Sequence, residues 1–171
     1  TAELWDPVSE TWTTMATESR NRTYHSTAIL LPNGRVLSTG SGEGGGISFT
    51  NSELSAQQFL PPYLFRPDGS PAARPSISSA PAVIHYGQAF TVQTPDPAAI
   101  ARGNLIRLSS VTHTFNESQL LYPLSFSVTG ATSISAEGPP NGNLAPPGPY
   151  MLFLINQAGV PSVAKIVTVG P

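Results

Sequence analysis

The sequence predicts an all-β protein with two structural parts, and three observations point to this class. Only 11% of the 171 residues are charged, whereas 39% are hydrophobic, so the chain can bury a core. It contains 15 Gly and 18 Pro, residues that end regular elements and form turns. Short apolar segments lie between these turn formers, and no long amphipathic helix pattern is present. Together these features favour loop-rich β structure over disorder or a helical bundle.

Composition also excludes several classes of function. The net charge of −2 and the pI of about 5.8 provide no basic face, so we expect no nucleic-acid partner and no anionic membrane partner. No apolar stretch approaches the ~20 residues that span a bilayer, so we expect no membrane-spanning segment. The absence of Cys excludes disulfides, thiolate metal ligands and a thiol nucleophile within these residues.

The first part of the chain is predicted to contain short strands joined by tight turns. The Asp6-Pro7-Val8-Ser9 segment has the composition of a turn, and Asn33-Gly34 supplies the positive φ angles of a hairpin turn. A glycine-rich segment, residues 40–46, follows the hairpin. It is expected to be a turn or loop near the His-bearing segments described below. The predicted strands of this part are residues 3–7, 11–13, 26–31, 35–39 and 54–60.

These elements resemble the blades of a Kelch β-propeller. An aromatic-Asp-Pro phrase with a later Trp resembles the end of one blade, and an Arg-His-Ser-Asn-Gly-Arg-Val-Gly series resembles the start of the next. A Kelch repeat takes ~50 residues, so only about one and a half repeats fit before the pattern stops. We therefore predict that residues 1–74 are the C-terminal part of a Kelch propeller, which needs its other blades to close.

The second part is predicted to be an immunoglobulin-like β-sandwich over residues 75–171. A segment rich in Pro, Gly, Asp and Ser, residues 67–75, forms the predicted boundary. About seven strands with turn signals between them follow it, which is typical of such sandwiches. Residues 96–102 are predicted to form one helical turn. The predicted strands are residues 82–86, 89–94, 105–109, 124–128, 133–136, 150–155 and 164–169.

Two His-bearing segments are the strongest functional signal. One is Arg22-Thr23-Tyr24-His25-Ser26, directly before a predicted strand, and the other is Val111-Thr112-His113-Thr114-Phe115-Asn116, between two predicted strands. Two imidazoles and a phenol are donors that suit Cu(II) in a tetragonal site of nitrogen and oxygen ligands. Adjacent side chains on a flat strand point to opposite faces, so Tyr24 and His25 can share a metal only where the backbone bends.

Both parts together resemble the C-terminal end of the galactose oxidase and glyoxal oxidase family of copper radical oxidases. The resemblance covers nearly the whole chain in order. Besides the two His-bearing segments, it is carried by Leu31-Pro32-Asn33-Gly34-Arg35-Val36, Ala56-Gln57-Gln58-Phe59-Leu60-Pro61-Pro62-Tyr63-Leu64, Ala73-Arg74-Pro75, Leu105-Ile106-Arg107, Pro147-Gly148-Pro149-Tyr150-Met151-Leu152-Phe153 and Ala158-Gly159-Val160-Pro161-Ser162-Val163-Ala164.

The resemblance implies a metal site and an activity. Tyr24 would be the axial ligand of Cu²⁺ and the general base, and His25 and His113 would be the equatorial ligands. The enzyme would oxidise primary alcohols or aldehydes with O₂ and release H₂O₂, and it would be secreted. The family's radical cofactor, a Tyr cross-linked to a Cys, is not encoded in this chain, so the chain alone is expected to be inactive. Its partners would be the remaining propeller and a small alcohol or aldehyde.

Two other functions remain open from the sequence. The chain could be a non-catalytic Kelch and sandwich module that binds a glycan or a protein, or a degenerate relative that binds copper without turnover. A Cys and a Tyr in preceding blades would favour the oxidase. His85 lies in an alternating strand and is predicted to be structural, and Trp5 and Trp12 are predicted to pack within a blade.

Overall fold

The computed structural model describes residues 1–42, 52–108, 110–113 and 115–171. It confirms the predicted all-β class, because the regular elements in these residues are strands and two short 3₁₀ turns, at Pro62–Leu64 and Pro97–Ala99. Within these residues, no helix has the length and apolar character needed to cross a membrane. The strands are β1 Glu3–Asp6, β2 Thr11–Thr14, β3 Thr27–Leu30, β4 Val36–Thr39, β5 Ala56–Phe59, β6 Val83–His85, β7 Ala89–Gln93, β8 Ile100–Arg107, β9 Ser110–Thr112, β10 Phe115–Glu117, β11 Leu121–Leu124, β12 Phe126–Gly130, β13 Ser133–Glu137, β14 Gly148–Asn156 and β15 Lys165–Gly170.

The chain divides into two compact units that do not follow sequence order. Unit 1 contains Thr1–Leu30, Arg35–Leu60 and Val111–Asn116. Unit 2 contains Leu31–Gly34, Pro61–Ser110 and Glu117–Pro171. A short segment from the later half of the sequence therefore belongs to the unit formed by the first 60 residues, and the candidate ligand His113 lies in that segment.

Unit 1 is built from small antiparallel sheets. β1 pairs with β2, and the Trp5 and Trp12 side chains, at partnered positions, have ring centroids 5.2 Å apart. β3, β4 and β5 form a three-stranded sheet in sequence order. Gly34 has φ 77° in the turn between β3 and β4, as the Asn-Gly pair predicts. β9 and β10 form a two-stranded hairpin.

Unit 2 has two sheets and a shared apolar core. The five-stranded sheet has the order β11-β8-β14-β15-β6, and the three-stranded sheet has the order β12-β13-β7. β6 and β15 are parallel, whereas the other pairs are antiparallel. Both sheets contribute to one core, since buried Leu152 and Val167 from the first cluster with Val92 and Ile134 from the second.

Local sequence explains these strands. In β13, the Ser133-Ile134-Ser135-Ala136 alternation matches a strand with one face in the core, and Ile134 and Ala136 are buried. In β14, every residue from Tyr150 to Ile155 is buried, as expected for a central strand covered on both faces.

Arg74 fixes the connection that precedes the sandwich strands. Its guanidinium donates to the carbonyl oxygens of Asn33, Pro161 and Ser162, at 2.8, 2.8 and 2.6 Å. All four residues belong to unit 2. These charge-assisted hydrogen bonds join the β3–β4 turn to the segment after β14.

Two predicted elements were wrong in detail, and one hairpin was missed. The strand predicted over residues 124–128 is two strands in different sheets, because the chain leaves β11 at Leu124 and enters β12 at Phe126. Pro123 lies in β11, an edge strand, where its missing N–H costs no ladder hydrogen bond. The helical turn predicted over residues 96–102 is limited to Pro97–Ala99, since β8 begins at Ile100. The β9–β10 hairpin was not predicted at all, and residue 109, the end of a predicted strand, lies outside the described residues.

Candidate metal centre

The three sequence-predicted ligands converge within unit 1. The Tyr24 and His25 rings are stacked, with centroids 4.0 Å apart and an interplanar angle of 25°. The His113 ring meets the His25 ring edge-on at 4.5 Å and the Tyr24 ring at 5.7 Å. All three residues belong to the same compact unit. Side chains far apart in sequence therefore form one cluster of two imidazoles and a phenol.

A bend in the backbone brings Tyr24 and His25 to the same side. His25 has φ 61°, in the left-handed region that a non-glycine residue rarely adopts. The Ser26 N–H donates to the Thr23 carbonyl at 3.1 Å, which closes a turn directly before β3. The bend that sharing a metal requires is therefore present.

His113 lies in the turn of the β9–β10 hairpin. It also has a positive φ, 50°, and its Nδ1 is 2.8 Å from Thr112 Oγ1. The predicted loop position of His113 is confirmed, although the hairpin that forms this loop was not foreseen.

Arg22 supports the turn that carries Tyr24 and His25. Its side chain is only 4% exposed, and its Nε donates to Glu18 Oε2 at 2.9 Å. Its Nη1 donates to the carbonyl oxygens of Gly40 and Ser55, both at 3.0 Å, and Nη2 donates to Ser55 Oγ at 3.2 Å. Arg22 was noted in the sequence as part of a motif, but this role depends on acceptors brought near by folding.

The loop after β4 also contacts the turn. The Gly42 N–H donates to the Tyr24 carbonyl at 2.8 Å, and the Thr23 N–H donates to Ser41 Oγ at 3.0 Å. Gly40 has φ 74°, and a Cβ there would lie 3.0 Å from the His25 carbonyl oxygen. The first residues of the predicted glycine-rich loop therefore lie beside the cluster, while residues 43–51 are outside the described part of the chain.

Glu53 and Arg20, which lie near the residues that Arg22 contacts, are surface groups. Hydrogen bonds from the Ser55 side chain and N–H lower the pKa of Glu53 below its ordinary value, and the Arg20 guanidinium, 3.7 Å away, contributes less. Glu53 is thus an anion at neutral pH near Arg20, with no role in the cluster itself.

The spacing of the imidazoles suits one bound ion. Suppose that each metal–nitrogen bond is about 2 Å long and that each nitrogen lies about 1.1 Å from the centre of its ring. Two rings whose bonds to the metal meet at a right angle then have centroids about 4.5 Å apart. The His25 and His113 centroids are 4.5 Å apart. The separation of the two rings would therefore allow His25 and His113 to hold one ion between them.

A metal bound here needs a donor besides imidazole. Among the described residues, no group of three or more His, Cys, Asp or Glu side chains could hold a metal ion. The cluster offers two imidazoles, and the neighbouring donor is the phenol of Tyr24, which is 51% exposed. Two nitrogens and a phenol oxygen suit Cu(II) rather than Ca²⁺ or Mg²⁺, which prefer oxygen donors.

His85 does not join this cluster. Its Nδ1 is 2.8 Å from the Pro171 carbonyl oxygen, in unit 2. Its predicted structural role fits this contact, and it provides a matched control for the other two His residues.

Comparison with known proteins gives consistent results. Residues 74–169 match the family described as "Galactose oxidase-like, Early set domain". Galactose oxidase of Gibberella zeae is 37% identical over 170 residues, which are 99% of this chain and 24% of the relative. The aldehyde oxidase GLOX of Vitis pseudoreticulata is 37% identical over 161 residues, which are 88% of this chain and 30% of the relative.

A solved structure is similar over almost the entire chain. It is a fungal alcohol oxidase of the AA5 family in complex with copper, with 36% identity and a TM-score of 0.89. The match covers 99% of this chain and 35% of that chain. The chain thus spans about a quarter to a third of the length of these relatives. The predicted immunoglobulin-like part is confirmed by the domain match, whereas the Kelch assignment of residues 1–74 stays a prediction.

Proposed function

Because the chain belongs to the galactose oxidase-like family, we propose that it forms the C-terminal part of a copper radical oxidase. The enzyme oxidises primary alcohols or aldehydes with O₂ and releases H₂O₂. The observation that carries this proposal is the convergence of Tyr24, His25 and His113, with ring centroids between 4.0 and 5.7 Å apart.

The three residues have different tasks in this proposal. His25 and His113 hold the copper through one ring nitrogen each, and Tyr24 contributes its phenol oxygen. Copper bound there supplies Lewis acidity and one-electron chemistry. Tyr24 Oη accepts the proton of the substrate hydroxyl as general base, a role that the exposure of its side chain favours.

The radical cofactor has to come from other residues. The family's Tyr–Cys cross-link needs a cysteine, and these 171 residues contain none. Hydrogen-atom abstraction therefore requires residues that this chain does not supply. We expect the chain by itself to produce no peroxide.

The cellular setting belongs to the same proposal. Family resemblance supports secretion, with the remaining propeller and a small alcohol or aldehyde as partners. Detection of the protein in the culture medium, and its absence from washed cells, tests the localisation.

Copper binding by the complete polypeptide that contains this chain tests the proposed function. We expect one tightly bound copper per molecule. His25→Ala and His113→Ala should each lower copper affinity by more than the ~10–100-fold typical of losing an outer-sphere partner. Tyr24→Phe should weaken binding and abolish peroxide formation, because both the donor oxygen and the base are lost.

His85→Ala is the matched control, since it removes the one other His of the sequence and should leave copper binding unchanged. Competition with a chelator of known affinity measures each variant. If the wild-type polypeptide binds no copper tightly, or His113→Ala binds it as well as wild type, the oxidase proposal is wrong and a non-catalytic binding module is favoured.

A further inference from the structure

The turn that carries Tyr24 and His25 is a type II β-turn. It runs from Thr23 to Ser26, and the Ser26 N–H donates to the Thr23 carbonyl at 3.1 Å. His25, at the third position, has a positive φ of 61°, whereas Tyr24, at the second position, does not. This combination defines a type II turn, in which glycine is the preferred third residue. An imidazole therefore occupies a position where residue preference alone would favour a different turn.

The peptide group between Tyr24 and His25 distinguishes this turn from the commoner type I. In type I, ψ of the second residue and φ of the third are about −30° and −90°, whereas in type II they are about +120° and +80°. The two forms thus differ by turning over the central peptide. A negative φ at His25 would also redirect its side chain, which now stacks on the Tyr24 ring at 4.0 Å between centroids. A contact that holds the Tyr24 carbonyl therefore holds the two rings together.

The loop after β4 holds this carbonyl. The Gly42 N–H donates to the Tyr24 carbonyl oxygen at 2.8 Å. Ser41 Oγ accepts from the Thr23 N–H at 3.0 Å and lies 3.0 Å from Thr23 Oγ1, so the first residue of the turn is attached to the same loop. If the central peptide turned over, the Tyr24 carbonyl would point away from Gly42 and this hydrogen bond would break. The loop therefore favours the type II form.

The loop has its own attachment within unit 1. The Glu53 N–H donates to the Ser41 carbonyl at 3.0 Å. Ser41 has φ 149°, a value that favours glycine, yet the residue is a serine whose hydroxyl contacts Thr23. The backbone that grips the turn is thus fixed by contacts outside the cluster of rings.

We propose that Ser41 and Gly42 are positioning residues for the copper site: they hold the turn in its type II form, so that Tyr24 and His25 reach the same ion. This inference rests on the proposed function, because it requires that the cluster binds copper. Gly42 acts through its backbone N–H and Ser41 through its hydroxyl, and both act on the turn rather than on the ion.

Substitutions of Gly42 in the complete polypeptide test the inference. Gly42→Pro removes the N–H, so copper affinity should fall about 3–10-fold, the loss expected for one hydrogen bond. Gly42→Ala is the matched control, since it keeps the N–H and its Cβ would lie 3.7 Å from Ser52 Oγ, an ordinary contact. It should bind copper within about twofold of wild type. Ser41→Ala keeps the backbone and removes the hydroxyl, so it should also weaken binding.

Electron paramagnetic resonance provides a second readout that does not depend on activity. The spectrum of the Cu(II) form counts the imidazole nitrogens bound to the ion. We expect coupling to two nitrogens in the wild type and in Gly42→Ala. In Gly42→Pro a second signal with one nitrogen should appear, because His25 leaves the ion in molecules whose turn has changed form. Circular dichroism and the melting temperature of each variant check folding.

The outcomes separate the two proposals. If the wild type binds copper and a folded Gly42→Pro matches it in affinity and spectrum, or Gly42→Ala loses as much affinity as Gly42→Pro, the positioning role is wrong and the copper site stands. If Gly42→Pro does not fold, Ser41→Ala decides, and wild-type affinity and spectrum in that variant overturn the role. If the wild type itself binds no copper, both proposals fall.

Discussion

Both candidate histidine ligands have backbone conformations that non-glycine residues rarely adopt. His25 and His113 have φ values of 61° and 50°, where a side chain with a Cβ is strained by about 1–2 kcal/mol. Positive φ at non-glycine residues concentrates at functional sites, because surrounding contacts must hold such residues in place. At each position, the strained backbone directs an imidazole toward the same cluster.

Gly40, which follows β4, packs closely against the backbone of the turn that carries Tyr24 and His25. Gly40→Ala should be destabilising by more than 1 kcal/mol, because φ 74° disfavours a Cβ and the new atom would lie 3.0 Å from the His25 carbonyl oxygen. We expect a lower melting temperature and weaker copper binding, since the carbonyl of a ligand residue must move.

Gly69→Ala is the control for the backbone contribution. Gly69 has a similar φ of 81°, but a Cβ there would meet nothing within 4 Å. It should lower the melting temperature less and leave copper binding intact. Equal copper affinity in Gly40→Ala and wild type would contradict the proposed closeness of this loop to the site.

The residues that carry the chemistry could be named from the sequence, whereas their supports could not. Tyr24, His25 and His113 lie in short segments that resemble a known family, so these residues can be identified from the sequence alone. The role of Arg22 depends on the carbonyl acceptor of Gly40, and the role of Ser41 depends on the N–H donor of Thr23, each brought to 3.0 Å by folding. Such partners leave no pattern in a single sequence.

At the scale of elements, the candidate site is held by a turn, a loop and a strand joined through Arg22. The Arg22 guanidinium donates to Gly40, which follows β4, and to Ser55, which precedes β5. Arg22 thereby joins the turn that carries Tyr24 and His25 to the residue after β4 and to the residue before β5. The geometry of the cluster therefore depends on a buried cation that does not touch it.

Replacing Arg22 with a shorter cation should separate these elements. Arg22→Lys keeps the charge but cannot reach Glu18 Oε2, Gly40 O and Ser55 at once, so we expect a loss of about 2–3 kcal/mol in stability. Copper affinity should also fall, as measured by chelator competition.

Arg35→Lys provides a comparison within the same unit. Arg35 is exposed and donates to Gln58 Oε1 at 3.0 Å, so its replacement should change stability by less than about 1 kcal/mol. If the two lysine variants melt at the same temperature, Arg22 does not have the supporting role described.

Strand prediction succeeded where the apolar residues were alternating or continuous and failed where the chain changes sheet. β13 and β14 were predicted to within two residues, because their apolar positions follow core burial. The break between β11 and β12 has no local signal apart from Pro123, since the same apolar residues serve either sheet. The β9–β10 hairpin is too short, at three residues a strand, to be read from periodicity.

At the scale of the whole molecule, the two units differ in how well they bury apolar surface. Unit 2 has a core with many fully buried side chains, including Leu152, Leu154 and Val169. In unit 1, β1 and β2 are exposed along their length, and Trp5 and Trp12 remain 41% and 65% exposed. Two-stranded ribbons are marginally stable alone, so β1 and β2 need additional strands or a partner surface.

The isolated 171 residues should therefore behave differently from the complete polypeptide. We expect self-association, detected by light scattering, because the ribbon edges and both Trp side chains are exposed. We also expect no H₂O₂ from alcohol or aldehyde substrates with added copper, since the Tyr–Cys cofactor is not encoded here. Peroxide production by a soluble monomer of the isolated chain would overturn this expectation.

The grouping of residues into units could not be read from sequence order. Residues 111–116 follow the predicted boundary by more than 30 positions, yet they belong to unit 1. Only long-range contact places this hairpin, and with it His113, beside Tyr24 and His25. The family resemblance supplied the expectation of such a contact, which composition and periodicity do not carry.

The most direct test of the copper site is anomalous X-ray diffraction at the copper edge from crystals of the complete polypeptide. We predict one strong peak in bonding distance of Tyr24 Oη and about 2 Å from one ring nitrogen each of His25 and His113. Copper bound elsewhere, or no peak near these three side chains after copper loading, would contradict the account.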